Sequence, residues 1–172
     1  RGQGADMEIK VIASSSSGNA YLVKEGDTEI LIECGLQFKK LQQALDFRIT
    51  SLAGCLVSHS HKDHSRSVPD LLKVGCPVYM TEETANEMGV PIPRENLMTL
   101  SAWTHIDRFW VLPLRMKHDV PCVGFYVSAP SGETLLFATD TAEIIHRLEG
   151  VDYLMLECNY DTALLNADES CI

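Results

Sequence analysis

The stretch Ser58-His59-Ser60-His61-Lys62-Asp63-His64-Ser65 decides how this chain is read. It follows the apolar run Gly54-Cys55-Leu56-Val57, so the pattern H-x-H-x-D-H opens at the end of an expected buried strand over 55–58. Imidazole and carboxylate are donors that suit zinc and other borderline divalent ions. A loop at a strand end can turn alternate side chains inward. His59 and His61 can then reach one ion while Asp63 and His64 reach a neighbouring one. The competing interpretation is a polar surface loop that happens to hold histidine. The chain has six histidines and half of them fall in this stretch, which favours a ligand cluster.

The rest of the chain has the composition of one ordinary globular domain. Its 172 residues are enough to bury a core, and 45% hydrophobic content argues against disorder. A single domain is expected over 7–172, with residues 1–6 read as a non-native leader ahead of Met7. The net charge is −10, so the overall field does not steer the chain toward nucleic acid or anionic membrane. Bound dications would reverse that sign locally, which keeps nucleic-acid substrates open. The six cysteines form no C-x-x-C pair and most sit beside apolar runs. Reduced, partly buried thiols and a cytoplasmic location are therefore expected. No apolar run approaches the ~18–20 residues of a membrane-spanning helix, and no membrane partner is expected.

Along the chain, strands are expected over 7–13, 20–23, 29–32, 55–58 and 78–80. Two strands or one bent pair are expected over 103–116, a hairpin over 123–129 and 134–138, and a last strand over 153–156. Helices are expected over 36–47, 65–74, 82–88 (capped by Thr81) and 143–148. Many short strands with helices between them predict an α/β layered fold. Two mixed sheets pack face to face with helices outside. The hairpin at 123–138 argues against an all-parallel sheet.

A two-ion site needs more ligands than one loop supplies. His118 follows the strand-like 109–114, and Asp140 ends the apolar run Leu135-Leu136-Phe137-Ala138. Taken alone, each has an ordinary explanation: a surface histidine, and a helix-capping aspartate. Both gain weight because the histidine stretch leaves coordination positions unfilled. The order H-x-H-x-D-H, strand-end His, then apolar run and Thr-Asp resembles the metallo-β-lactamase-fold hydrolases. The resemblance runs from the opening strand to Asp161 and implies an αββα sandwich with two divalent ions, zinc foremost, manganese or iron as alternatives. It implies His59, His61 and His118 as ligands of the first ion. Asp63 and His64 are implied for the second, with Asp140 bridging.

Ser-Ser-Gly-Asn at 16–19, His118-Asp119-Val120-Pro121 and Leu156-Glu157-Cys158-Asn159-Tyr160-Asp161 are similar to the branch that includes tRNase Z, small bacterial exonuclease-like enzymes and phage cyclic-nucleotide phosphodiesterases. That implies a phosphodiester substrate, cyclic nucleotide or nucleic acid, attacked by a hydroxide that two ions share. Asp63 is the expected catalytic residue, ligating one ion and orienting the hydroxide. Glu33, Thr139 and Asp119 are candidates to orient the imidazoles. A homodimer is a further possibility that the resemblance carries. Two departures stand out. Glu33 occupies a position where the family has aspartate, and no histidine follows His146, so one expected ligand is absent. The chain therefore reads as truncated, lacking a C-terminal helix and strand. Two alternatives remain open: hydrolysis of a lactam, lactone or thioester on the same scaffold, and a metal-binding interaction module without turnover.

Overall fold

The structure, a computed structural model, describes residues 6–141 and 150–156. The chain opens with an antiparallel meander: β1 (Glu8–Ala13), β2 (Ala20–Glu25) and β3 (Thr28–Ile32). Glu25 pairs with Thr28, leaving a two-residue hairpin in which Gly26 takes φ 59°. A tight hairpin matched to strand twist asks for that positive φ. Three parallel strands follow, β4 (Gly54–Leu56), β5 (Val78–Thr81) and β6 (Leu97–Met98), giving the order β1-β2-β3-β4-β5-β6. Between them run α1 (Phe38–Ala44), α2 (Lys62–Ser65), α3 (Val68–Lys73) and α4 (Glu82–Met88).

The second sheet holds β7 (Thr104–Ile106), β8 (Phe109–Met116), β9 (Cys122–Ser128), β10 (Thr134–Ala138) and β11 (Tyr153–Leu156), in the order β11-β10-β9-β8-β7. Only β10 and β11 pair in parallel here. Both sheets are thus mixed, as expected. β8 and β10 each lie antiparallel to β9, so they run in the same direction and end at the same edge of the sandwich.

Strand alternation assigns the layers. Ile30 and Ile32 face the second sheet while Leu31 faces the helices, and both sides are fully buried. That is why β3 reads as an unbroken apolar run. Phe109, Val111, Phe125, Val127, Leu135 and Phe137 fill the space between the sheets from the other side. Each such side chain contributes about 1.5–3 kcal/mol by burial. Leu41, Leu45, Val68, Leu71 and Ala85 cover the outer face of the first sheet.

Several expectations are corrected. The helix expected over 36–47 is confined to Phe38–Ala44, and Asp46 and Phe47 follow it with φ of 50° and 59°. The helix expected over 65–74 is two helices, and the first begins inside the histidine stretch. They part because the Ser67 N–H donates to the Cys34 carbonyl at 3.0 Å rather than to the preceding turn. The strand expected to reach Ser58 stops at Leu56. Ser58 leaves the sheet, its N–H turning to the Glu33 carboxylate and its carbonyl accepting from Val123 N at 3.1 Å. Trp103 and Trp110 are 48% and 49% exposed, the latter turned to the outer face of β8. Thr81 caps α4 as expected, accepting from Thr84 N. The helix expected over 143–148, with His146, Asn159 and Asp161, lies outside the described residues.

Candidate metal centre

Three chain crossings build one pocket of backbone at the sandwich edge. Asn19 N donates to the Asp63 carbonyl at 2.7 Å, Gly35 N to the Asn19 carbonyl at 2.9 Å, and Cys34 N to the His64 carbonyl at 2.8 Å. The turn after β1, the corner after β3 and α2 are therefore locked together. Gly35 permits this, because a Cβ there would overlap the Asp63 carbonyl. Glu33 adopts φ 65° and Asp140 φ 49°. Non-glycine residues pay about 1–3 kcal/mol for such geometry, and it concentrates where side chains must be aimed.

On this frame, side chains distant in sequence converge. His59, His61 and His118 offer nitrogen atoms that all lie within 4.8 Å of one another, and so do the ligand atoms of His59, His64 and Asp140. The rings of His59 and His118 are 4.8 Å apart, those of His61 and His118 5.0 Å, and those of His59 and His64 4.3 Å. Asp140 Oδ2 lies 2.7 Å from His64 Nε2 and 3.6 Å from His59 Nε2. Asp63 reaches the group through His64 alone among these residues, Oδ2 to Nε2 at 3.3 Å. His118 and Asp140 arrive together because β8 and β10 end at the same edge. All six residues singled out in the sequence thus meet in one place, and His59 belongs to both trios.

Supporting contacts fix the rings. Ser58 Oγ lies 2.8 Å from His59 Nδ1, which turns His59 Nε2 toward the cluster. Glu33, fully buried, holds an oxygen 3.7 Å from His64 Nδ1, an ion-pair distance too long for a hydrogen bond. Asn19 Nδ2 is 3.2 Å from His64 Nε2. Asp119 meets His118 Nε2 at 2.9 Å and His61 Nε2 at 3.8 Å, with most of its side chain in solvent. Glu33 thus lies beside the His64 ring, whereas Asp119 meets the His118 nitrogen that faces His61. Thr139 is buried, but among the described residues its Oγ1 has no hydrogen-bond partner and bonds none of the rings. Asn19 and the direct contact of Ser58 were not legible in the sequence, since a Ser/Gly/Asn turn has an ordinary conformational explanation.

The electrostatics suit cation binding. Burial first, then the neighbouring imidazoles of His64, His118 and His61, pull the His59 pKa down to about 2. His59 is thus neutral, with a lone pair available. Its Nε2 is buried without a hydrogen-bond partner among the described residues, which would be costly in a site meant to stay empty. For His64 burial pulls downward, but Glu33, Asp140 and Asp63 outweigh it and push the pKa up to about 9. Burial raises the Glu33 carboxyl, partly offset by His64 and Ser58. An orphaned buried imidazole nitrogen facing three more imidazoles and two carboxylates fits divalent ions of the nitrogen- and oxygen-binding kind.

A family model described as a beta-lactamase superfamily domain matches residues 28–167. The chain belongs to that superfamily. A curated relative, exodeoxyribonuclease YycJ of Bacillus anthracis, is 26% identical over 92% of this chain. The chain spans 65% of that relative's length. Among solved structures, the metallo-beta-lactamase fold protein YhfI of Bacillus subtilis superposes with a TM-score of 0.70 at 20% identity, covering 90% of this chain and 71% of that one. The short form of human tRNase Z gives a TM-score of 0.66 at 15% identity, covering 94% and 82%. These likenesses establish the metallo-β-lactamase fold expected from the sequence. Among the described residues no helix is long and apolar enough to cross a membrane.

Proposed function

We propose that the chain is a metal-dependent hydrolase of phosphodiesters in nucleic acid. The observation that carries this reading is the convergence of His59, His61 and His118 beside His64 and Asp140. The name of the exodeoxyribonuclease relative supports the choice of substrate class. His59, His61 and His118 would hold one divalent ion. Asp63 and His64 would hold a second, with Asp140 between them. Zinc suits this donor set best, and manganese or iron also fits. Bound there, two ions supply Lewis acidity and a water acidic enough to attack at neutral pH.

The chain's own residues do the positioning. Ser58 holds the His59 ring, and the Glu33 carboxylate lies beside the His64 ring. Asp63, with its carboxylate one-third exposed, stands between the buried histidines and solvent. There it would orient the attacking hydroxide while ligating the second ion. Four buried free thiols, Cys34, Cys55, Cys76 and Cys122, agree with a reducing, cytoplasmic setting.

The test is to prepare the protein with zinc or manganese and measure metal per chain. Bis-p-nitrophenyl phosphate, cyclic nucleotides, single-stranded DNA and a β-lactam are then assayed side by side. Phosphodiester turnover that disappears in Asp63→Ala is expected. Turnover of the lactam alone, or metal binding with no turnover of any substrate, would overturn the reading.

A further inference from the structure

One cleft adjoins the metal centre without belonging to it. It measures about 380 Å³ and is lined by Ser60, Lys62, Ser65, Arg66, Glu87 and Met88, among others. Ser60 sits between His59 and His61, so the cleft begins where the ligand cluster ends. Lys62 and Arg66 share a helical turn, for Arg66 N donates to the Lys62 carbonyl at 3.1 Å. Residues four apart project from one helix face, so both cations line the same wall. Both are exposed, and neither forms an ion pair among the described residues. Glu87, on α4, also lines the cleft and leaves it with a surplus of one positive charge.

The rest of the molecule makes that surplus meaningful. The chain carries a net charge of −10, which repels a polyanion. Two cations on the helical turn that also carries Asp63 and His64, neither in an ion pair among the described residues, counter that field close to the histidine stretch. Ser65 is unavailable to such a ligand, since its hydroxyl already donates to the Ser60 and His61 carbonyls at 2.8 and 2.9 Å. A cyclic mononucleotide has no second phosphate to place there. A polynucleotide strand does.

We propose that Lys62 and Arg66 form a subsite for the phosphate that flanks the scissile one, so that this site takes polynucleotide strands. This rests on the phosphodiester reading of the metal centre. The test measures affinity rather than turnover. Metal-loaded protein is titrated into fluorescent phosphorothioate oligothymidylate and oligouridylate, which resist cleavage, and anisotropy is followed across salt concentrations. Lys62→Ala/Arg66→Ala should weaken binding about 25-fold at about 0.1 M salt and flatten the log–log salt slope by about 1.4, the value for two lost single-strand phosphate contacts. A matched control, Lys10→Ala/Lys39→Ala, removes two exposed lysines outside the cleft. Glu87→Gln should shift affinity the other way, a gain that misfolding cannot produce. Loss with only one of the two strands would assign the subsite to DNA or to RNA. An affinity for both strands within twofold of the control would overturn the proposal. If the wild type still cleaves bis-p-nitrophenyl phosphate in that case, the subsite alone is wrong. If the wild type neither cleaves a phosphodiester nor binds either strand, the metal-centre reading fails with it.

Discussion

His59 is the residue on which both ligand trios close, and its Nδ1 is held by Ser58. Two predictions follow at this scale. His59→Ala should abolish metal retention through dialysis while leaving the far-ultraviolet circular dichroism unchanged. Ser58→Ala should bind metal about 10–100-fold more weakly, because an unheld ring must be ordered by the ion itself. A chromogenic chelator competing for zinc measures both, and an unchanged affinity in Ser58→Ala would remove the orienting role. The residues that converge were legible in the sequence. Histidine and aspartate at H-x-H-x-D-H spacing have few ordinary explanations in a chain with so few histidines. Asn19 and Ser58 were hidden because asparagine and serine near turns have many. The expected role of Thr139 gained no contact to support it.

At the scale of elements, the histidine stretch is not a loop. Its second half is the helical turn α2, and that turn is seated on Gly35. Gly35→Ala should therefore push α2 away from the corner after β3. The expected cost is about 1–3 kcal/mol from overpacking, with loss of bound metal as Asp63 and His64 move. Thermal denaturation and metal content check the two effects together. A variant that keeps its metal would show that the contact is slack. Strand identities were readable because alternation and continuous apolar runs report burial directly. Boundaries were less so. Helix 65–74 split, and β4 ended early, because Ser67 and Ser58 spend their backbone N–H groups on a distant carbonyl and a distant carboxylate. No local pattern encodes such partners.

At the scale of the whole molecule, two sheets that meet through an apolar layer bring three chain segments to one edge, where a bound ion would satisfy the buried His59 Nε2. Metal should therefore stabilise the fold. At a hundredfold excess over Kd the gain is about 2.7 kcal/mol, or about 5–10 °C in Tm for a domain of this size. A chelator should reverse it, as differential scanning fluorimetry would read. Phe137→Ala, deep between the sheets, should cost about 3–5 kcal/mol without changing the metal-to-protein ratio of the fraction that stays folded. That separation distinguishes the core, which builds the edge, from the edge residues, which bind.

Anomalous diffraction at the zinc edge, from crystals grown with that ion, tests the central claim most directly. The account predicts one peak within bonding distance of His59, His61 and His118, and a second beside His64, Asp63 and Asp140. A map with no peak at these side chains, or with zinc held elsewhere while they keep their metal-free contacts, would contradict it.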